Sequence, residues 1–194
     1  RVYIAGLSAG GAMTSIMASC YGDLFAACAV HSGLMYRAAE SIPEASKAMR
    51  HGSRASPENT ARQAVAQKEF AFVPVMVIHG SRDETVNPVN ADQVVEQFMA
   101  MARLSDGGNK ALTQVTRSES GGDRYPYEMR DYRRGDMLLL RKVLVEGLDH
   151  AWSGGNAEHA FNDPHGPDAS RMIWEFFAGF ERSEQKAPAT VVAE

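Results

Sequence analysis

The chain's 194 residues, 44% hydrophobic and 23% charged, have the make-up of an ordinary globular domain long enough to bury one substantial core. A net charge of −4 with a pI near 5.9 excludes a nucleic-acid or anionic-membrane surface as the expected partner, and Arg133-Arg134 is too short to form a phosphate-binding stripe. No apolar run approaches the roughly 18 residues needed to span a bilayer.

In chain order, strand patterns alternate with helix patterns, which predicts an α/β fold with helices packed on a parallel sheet. Val2–Ala5 reads as a short buried strand, and 11–19 as a helix whose small residues permit close packing. The run "FAACAVH", 25–31, is a second buried strand that ends at Ser32-Gly33. Residues 34–68 form a long insertion with turn signals at Pro43, Gly52 and Pro57, the kind of segment that often makes a lid or pocket wall. "VPVMVI", 73–78, is continuously apolar, as expected of a strand covered on both faces. An amphipathic helix over 90–104 carries Val94, Phe98 and Met101 on one stripe. Two polar strands follow, 112–118 and 125–133, separated at Gly121-Gly122; the second alternates like a half-exposed antiparallel strand. A last strand over 138–145 precedes "EGLDH", and a last helix over 168–180 carries Met172, Ile173, Phe176, Phe177 and Phe180. Residues 1–182 are thus expected to form the domain, with 183–194 a flexible polar tail. Cys20 and Cys28 can form one bridge or remain two buried free thiols; the frequency with which free cysteine is buried favours the second.

The chemistry is concentrated in "GLSAG", residues 6–10, set between a strand and a helix. That arrangement is a nucleophile elbow, in which a sharp turn lifts the serine above the sheet at a helix N-terminus and flanking glycines relieve crowding. Ser8 is the candidate nucleophile, and the Ala9 N–H is placed to bind an oxyanion. A serine hydroxyl needs a base, and the expected chain order is serine, acid, histidine, each after a strand. Asp83 in "HGSRDETV" and His150 in "GLDHAW" meet that order. Their expected roles are those of a triad: His150 moves the proton and Asp83 orients the imidazole. Glu84 and Asp149 are weaker alternatives for the acid, and His79 is expected to hydrogen-bond locally. His31, His51, His159 and His165 lack the strand-end placement expected of the base. No His, Cys or carboxylate pair has zinc-ligand spacing, so neither a metal nor another cofactor is expected.

The segments "RVYIAGLSAGGAMTSIMA", "VHSGLMYRAA", "VIHGSRDETVNPVNADQVV" and "GLDHAWSGG…DPHGPDASRMIWEFF" together resemble the polyhydroxybutyrate (PHB) depolymerase family of esterases. The resemblance runs to about residue 180 and implies an α/β-hydrolase fold with Ser8, Asp83 and His150 as the triad. It further implies that Trp152 and the segment Leu34, Met35 and Tyr36 line the acyl or polymer groove, and that the substrate is a hydroxyalkanoate ester. A feruloyl or acetylxylan esterase of the same architecture is the alternative. A catalytically impaired fragment with an assembly or binding role is a third reading.

Members of that family carry several strands ahead of the elbow, absent here, so the resemblance implies the C-terminal portion of a hydrolase domain. A loop after one of those strands supplies the second oxyanion N–H. Losing one such donor costs on the order of 3 kcal/mol, or a hundred- to thousandfold in rate. The Val2–Ala5 strand is then an apolar edge expected to be paired, either with an N-terminal segment or with a second copy in a homo-oligomer.

Overall fold

The structure, a computed structural model, describes residues 1–107, 111–119 and 122–182. The expected tail over 183–194 and one residue of the Gly121-Gly122 turn lie outside the described residues. The chain begins with strand β1 (Tyr3–Leu7), helix α1 (Ala9–Cys20) and strand β2 (Ala27–His31). The 34–68 segment carries α2 (Ile42–His51) and α3 (Pro57–Val65), each started by a serine that accepts a backbone N–H and by an early proline. Then come β3 (Val75–Gly80), α4 (Val89–Ser105), β4 (Thr113–Glu119), β5 (Tyr127–Arg134) and β6 (Met137–Val145). Two short pairing segments, β7 (Trp152–Ser153) and β8 (Asn162–Asp163), precede α5 (Ala169–Ala178).

The main sheet has the order β1-β2-β3-β6-β5-β4. Its first four strands are parallel, while β5 and β4 extend it antiparallel, so the sheet is mixed rather than purely parallel. The difference has a simple cause: β5 and β6 are joined by the tight turn at Gly135, which permits only antiparallel pairing. Every residue of β4 is exposed, consistent with its polar sequence at the sheet's end.

The central strands alternate between two cores. Cys28, Val30, Val75 and Val77 face α1, α3 and α4, packing with Ala18, Ala61, Val94 and Phe98. Ala27, Ala29, Met76 and Ile78 face α5, packing with Ile173, Phe176 and Phe177. That double coverage explains why β2 and β3 are apolar at nearly every position. Cys20 and Cys28 are both free, and burial pushes the Cys28 thiol well above its usual range.

Two glutamines one turn apart on α4 hold the 34–68 segment in place. Gln97 accepts from the Tyr36 N–H and donates to the Tyr36 carbonyl, each at 2.9 Å. Gln93 makes the same pair with Ser53, each at 2.8 Å. Each side-chain amide thus mimics a neighbouring strand's peptide and satisfies both backbone groups of one residue. Among the described residues no helix is long and apolar enough to cross a membrane.

Candidate active site

The parallel strands of the sheet place the candidate residues at one end. The register aligns Leu7 with His31, His31 with Ile78, and Gly80 with Val145. Ser8, Asp83 and His150 follow the C-terminal ends of β1, β3 and β6, where open α/β sheets bind their ligands.

Ser8 has φ 57° and ψ −116°, a backbone strained for any residue with a side chain. Its N–H donates to the His31 carbonyl at 2.9 Å, and its own carbonyl accepts from Ala12 at 2.9 Å, which fixes the turn from both sides. A Cβ on Gly6 would lie 2.3 Å from the backbone of Gly10, so the turn closes only because residue 6 has no side chain. Gly10 is different: a Cβ there would meet nothing within 4 Å. The crowding therefore bears on one flanking glycine rather than on both. Gly11 and Gly33 are also in near contact, each leaving the other no room for a side chain. Ala9 opens α1 and is exposed.

Asp83 is buried with both carboxylate oxygens occupied. Oδ1 accepts from the Thr85 N–H at 3.0 Å and the Val86 N–H at 2.8 Å; Oδ2 accepts from His150 Nδ1 at 2.8 Å. Because an ionised carboxylate only accepts, the proton of neutral His150 sits on Nδ1 and Nε2 is left as the basic nitrogen. The structure thus joins Asp83 to His150 and sets Ser8 at the same end of the sheet. Among the described residues no hydrogen bond links the Ser8 hydroxyl to His150. The alternative acids are placed otherwise. Glu84 is exposed, and Asp149 is an exposed residue 3.9 Å from the Arg82 guanidinium. His79 is buried and local, with Nε2 donating to the Val86 carbonyl at 2.7 Å.

His31 is the last residue of β2, at the strand end where the run "FAACAVH" stops. Its ring is buried and bonded at both nitrogens. Nε2 accepts from the Ser153 N–H at 3.2 Å, which puts the proton on Nδ1, 3.2 Å from Ser32 Oγ. Burial, with lesser contributions from His79 and His150, lowers its pKa to about 3. His31 is therefore a neutral strut that joins the Ser8 turn to the segment after His150, and it stacks on Trp152 with ring centroids 5.2 Å apart. The available signal was the strand ending in "VHSG", with its histidine one residue before a buried turn.

The proposed groove residues separate into two groups. Trp152 is half-buried between His31 and Ser170, its indole N–H donating to Ser170 Oγ at 3.1 Å. Leu34 is buried against Ala48 and Val86, and Met35 lies in the core beneath α4, so both are committed to packing. Tyr36 is half-buried, with its backbone held by Gln97. Phe161 was not singled out by the sequence; its ring stands edge-on to His150 with centroids 6.4 Å apart. Among the described residues no group of three or more His, Cys, Asp or Glu is arranged to hold a metal ion. A cavity of about 710 Å³ lined by Phe25, Phe72, Phe176 and Phe180 opens at the opposite end of the sheet, by the starts of β2, β3 and β6, and carries none of the candidate residues.

The profile of the esterase PHB depolymerase family matches residues 1–121, well over half of the chain. The chain belongs to the PHB depolymerase family of esterases. Poly(3-hydroxyalkanoate) depolymerase C of Paucimonas lemoignei is 39% identical over 101 residues, covering 50% of this chain and 24% of that protein. Feruloyl esterase B of Thermothelomyces thermophilus is 27% identical over 165 residues, covering 77% of this chain and 50% of that protein. Among solved structures, the acetyl xylan esterase of Aspergillus awamori superposes with a TM-score of 0.59 at 25% identity, over 77% of this chain and 54% of that one. This family member therefore spans half or less of the curated relatives it matches, and its α/β sheet with flanking helices is that of the α/β-hydrolase esterases.

Proposed function

We propose that this chain carries the reacting groups of a serine carboxylic ester hydrolase, with Ser8 as nucleophile, His150 as base and Asp83 as its orienting acid. The observation that carries the reading is the 2.8 Å bond from Asp83 to His150 Nδ1, which leaves Nε2 basic at the same sheet end as the strained Ser8 turn. In the first step the Ser8 Oγ–C bond forms at the ester carbonyl while the hydroxyl proton passes to His150 Nε2. The carbonyl oxygen becomes an oxyanion facing the Ala9 N–H. As the intermediate collapses, the bond to the alcohol oxygen breaks, the C=O re-forms, and the departing oxygen takes the proton from His150. Water then repeats the sequence on the acyl-enzyme.

The proposed substrate class is hydroxyalkanoate esters, on the match to a poly(3-hydroxyalkanoate) depolymerase. Trp152, stacked on His31 beside the site, is the side chain proposed to form a wall of the acyl groove, while Leu34 and Met35 are taken up by packing. A second reading, aryl or acetyl esters of plant polysaccharide, is favoured by the longer match to a feruloyl esterase and the fold match to an acetyl xylan esterase. A fluorophosphonate probe is expected to label wild-type chain at Ser8 and not the Ser8→Ala variant. Turnover of hydroxybutyrate oligomers is expected to fall in that variant by at least about a thousandfold. Hydrolysis no faster than the variant's, together with no labelling, would favour an assembly or binding role instead. Comparing hydroxybutyrate, feruloyl and acetylxylan esters on one preparation separates the two substrate readings.

A further inference from the structure

We infer that Phe161 determines specificity for the alcohol side of the ester and favours a bulky apolar or aromatic leaving group. This rests on the reading of His150 as the group that protonates the departing oxygen. Phe161 is 68% exposed, so packing inside the protein does not account for a large apolar side chain there. Its backbone sits at φ 59°, a left-handed conformation that a bulky aromatic residue rarely adopts. The fold imposes that conformation. The Phe161 carbonyl accepts from the Trp152 N–H at 2.7 Å, β7 pairs with β8 directly afterwards, and the Asn162 side chain donates to the Ala160 carbonyl at 3.0 Å. Strain held by several contacts at a functional end of a sheet points to a use for the side chain.

Mechanism supplies the use. When the tetrahedral intermediate collapses, the alcohol oxygen takes its proton from His150 Nε2 and must lie within hydrogen-bond reach of that nitrogen. The acyl carbon stays on Ser8. Whatever is attached to the alcohol oxygen therefore leaves the catalytic centre past the imidazole, where the Phe161 ring stands at 78° to it, 6.4 Å centroid to centroid. The face left open to solvent can then be covered by an apolar substituent on the alcohol, or by an aromatic one in stacked or edge-on contact.

The test uses the full chain and two sets of esters. In the first, the acyl group is acetyl and the alcohol is methyl, benzyl or 2-naphthylmethyl. In the second, the alcohol is methyl and the acyl group lengthens from acetyl to hexanoyl. Initial rates by pH-stat give kcat/KM for each. In Phe161→Ala the benzyl-to-methyl and naphthylmethyl-to-methyl ratios are expected to fall about five- to tenfold. The hexanoyl-to-acetyl ratio is expected to hold. Phe161→Tyr, which keeps the ring, should retain the wild-type alcohol ratios, and Phe161→Gly, which relaxes the backbone, should lose them while remaining folded by circular dichroism. Unchanged alcohol ratios in Phe161→Ala overturn the inference, as does a change confined to the acyl series. Turnover that survives Ser8→Ala overturns the esterase reading and this inference with it, whereas Ser8-dependent turnover without alcohol selectivity overturns the inference alone.

Discussion

His31 shows how a buried polar side chain can serve a site without reacting. Its Nε2 lone pair is the partner of the Ser153 N–H, and its backbone carbonyl is the partner of the Ser8 N–H. An apolar replacement would strand a buried donor, whereas glutamine can present an oxygen near the position of Nε2. The same burial gives a pH signature. Lowered from 6.5 to about 3, His31 stays neutral in the fold while the unfolded chain takes up a proton. Stability contributed in this way is present above pH 6.5 and lost as pH falls from 6.5 toward 3, because the unfolded state binds more protons across that window. His79, also lowered by burial, acts in the same direction. Denaturant titrations from pH 7 to 5 should show stability falling as the pH is lowered, with a shallower slope in His31→Gln. One such proton accounts for up to about 1.4 kcal/mol per pH unit. An identical slope in the variant would mean that His31 titrates alike in both states.

At the scale of elements, the nucleophile turn depends on the approach of α1's first residues to the end of β1. Both glycines of the pentapeptide suggest a need for small residues, but the contact geometry separates them. Gly6→Ala would place a methyl 2.3 Å from Gly10 backbone, which cannot move without dislocating Ser8. Such overpacking against main chain is expected to cost about 3 kcal/mol or more and to yield little folded protein. Gly10→Ala, with open space at its Cβ, is expected to fold and to change the melting temperature by no more than about 3 °C. Thermal unfolding of the two variants side by side checks this. Equal destabilisation would show that the turn's need for glycine is conformational and not a matter of contact.

For the whole molecule, the consequence of interest lies at the sheet's two ends. β4 is polar and exposed along its length, which suits an end strand. β1 pairs only with β2 among the described residues; Ala5 within it and Val2 just before it are exposed, so the strand expected to be buried is only partly covered. Met13 and Ile16 on α1 are exposed as well. An apolar parallel strand with one free side tends to recruit another strand. Light scattering behind size exclusion is therefore expected to show self-association of the isolated chain that rises with concentration. Ala5→Lys, which charges the edge, should reduce it. A monodisperse monomer at every concentration would show that the edge is protected in some other way.

The alternation of apolar runs with amphipathic stretches was enough to predict an α/β sheet, because parallel strands covered on both faces leave an unbroken apolar signature. "GLSAG" after a strand, and single Asp and His residues just beyond two later strands, marked the candidate site for a similar local reason: each lies where a strand must end. Contacts between distant segments leave no such pattern in the chain. The pairing of β5 and β4 onto β6, the burial of Leu34 and Met35, the strut made by His31 and the approach of Phe161 to His150 all join residues that are neighbours only after folding. A periodic signal records which face of its own element a residue occupies. Which side chain from elsewhere meets that face depends on how the elements pack, and that was decided by the tertiary structure.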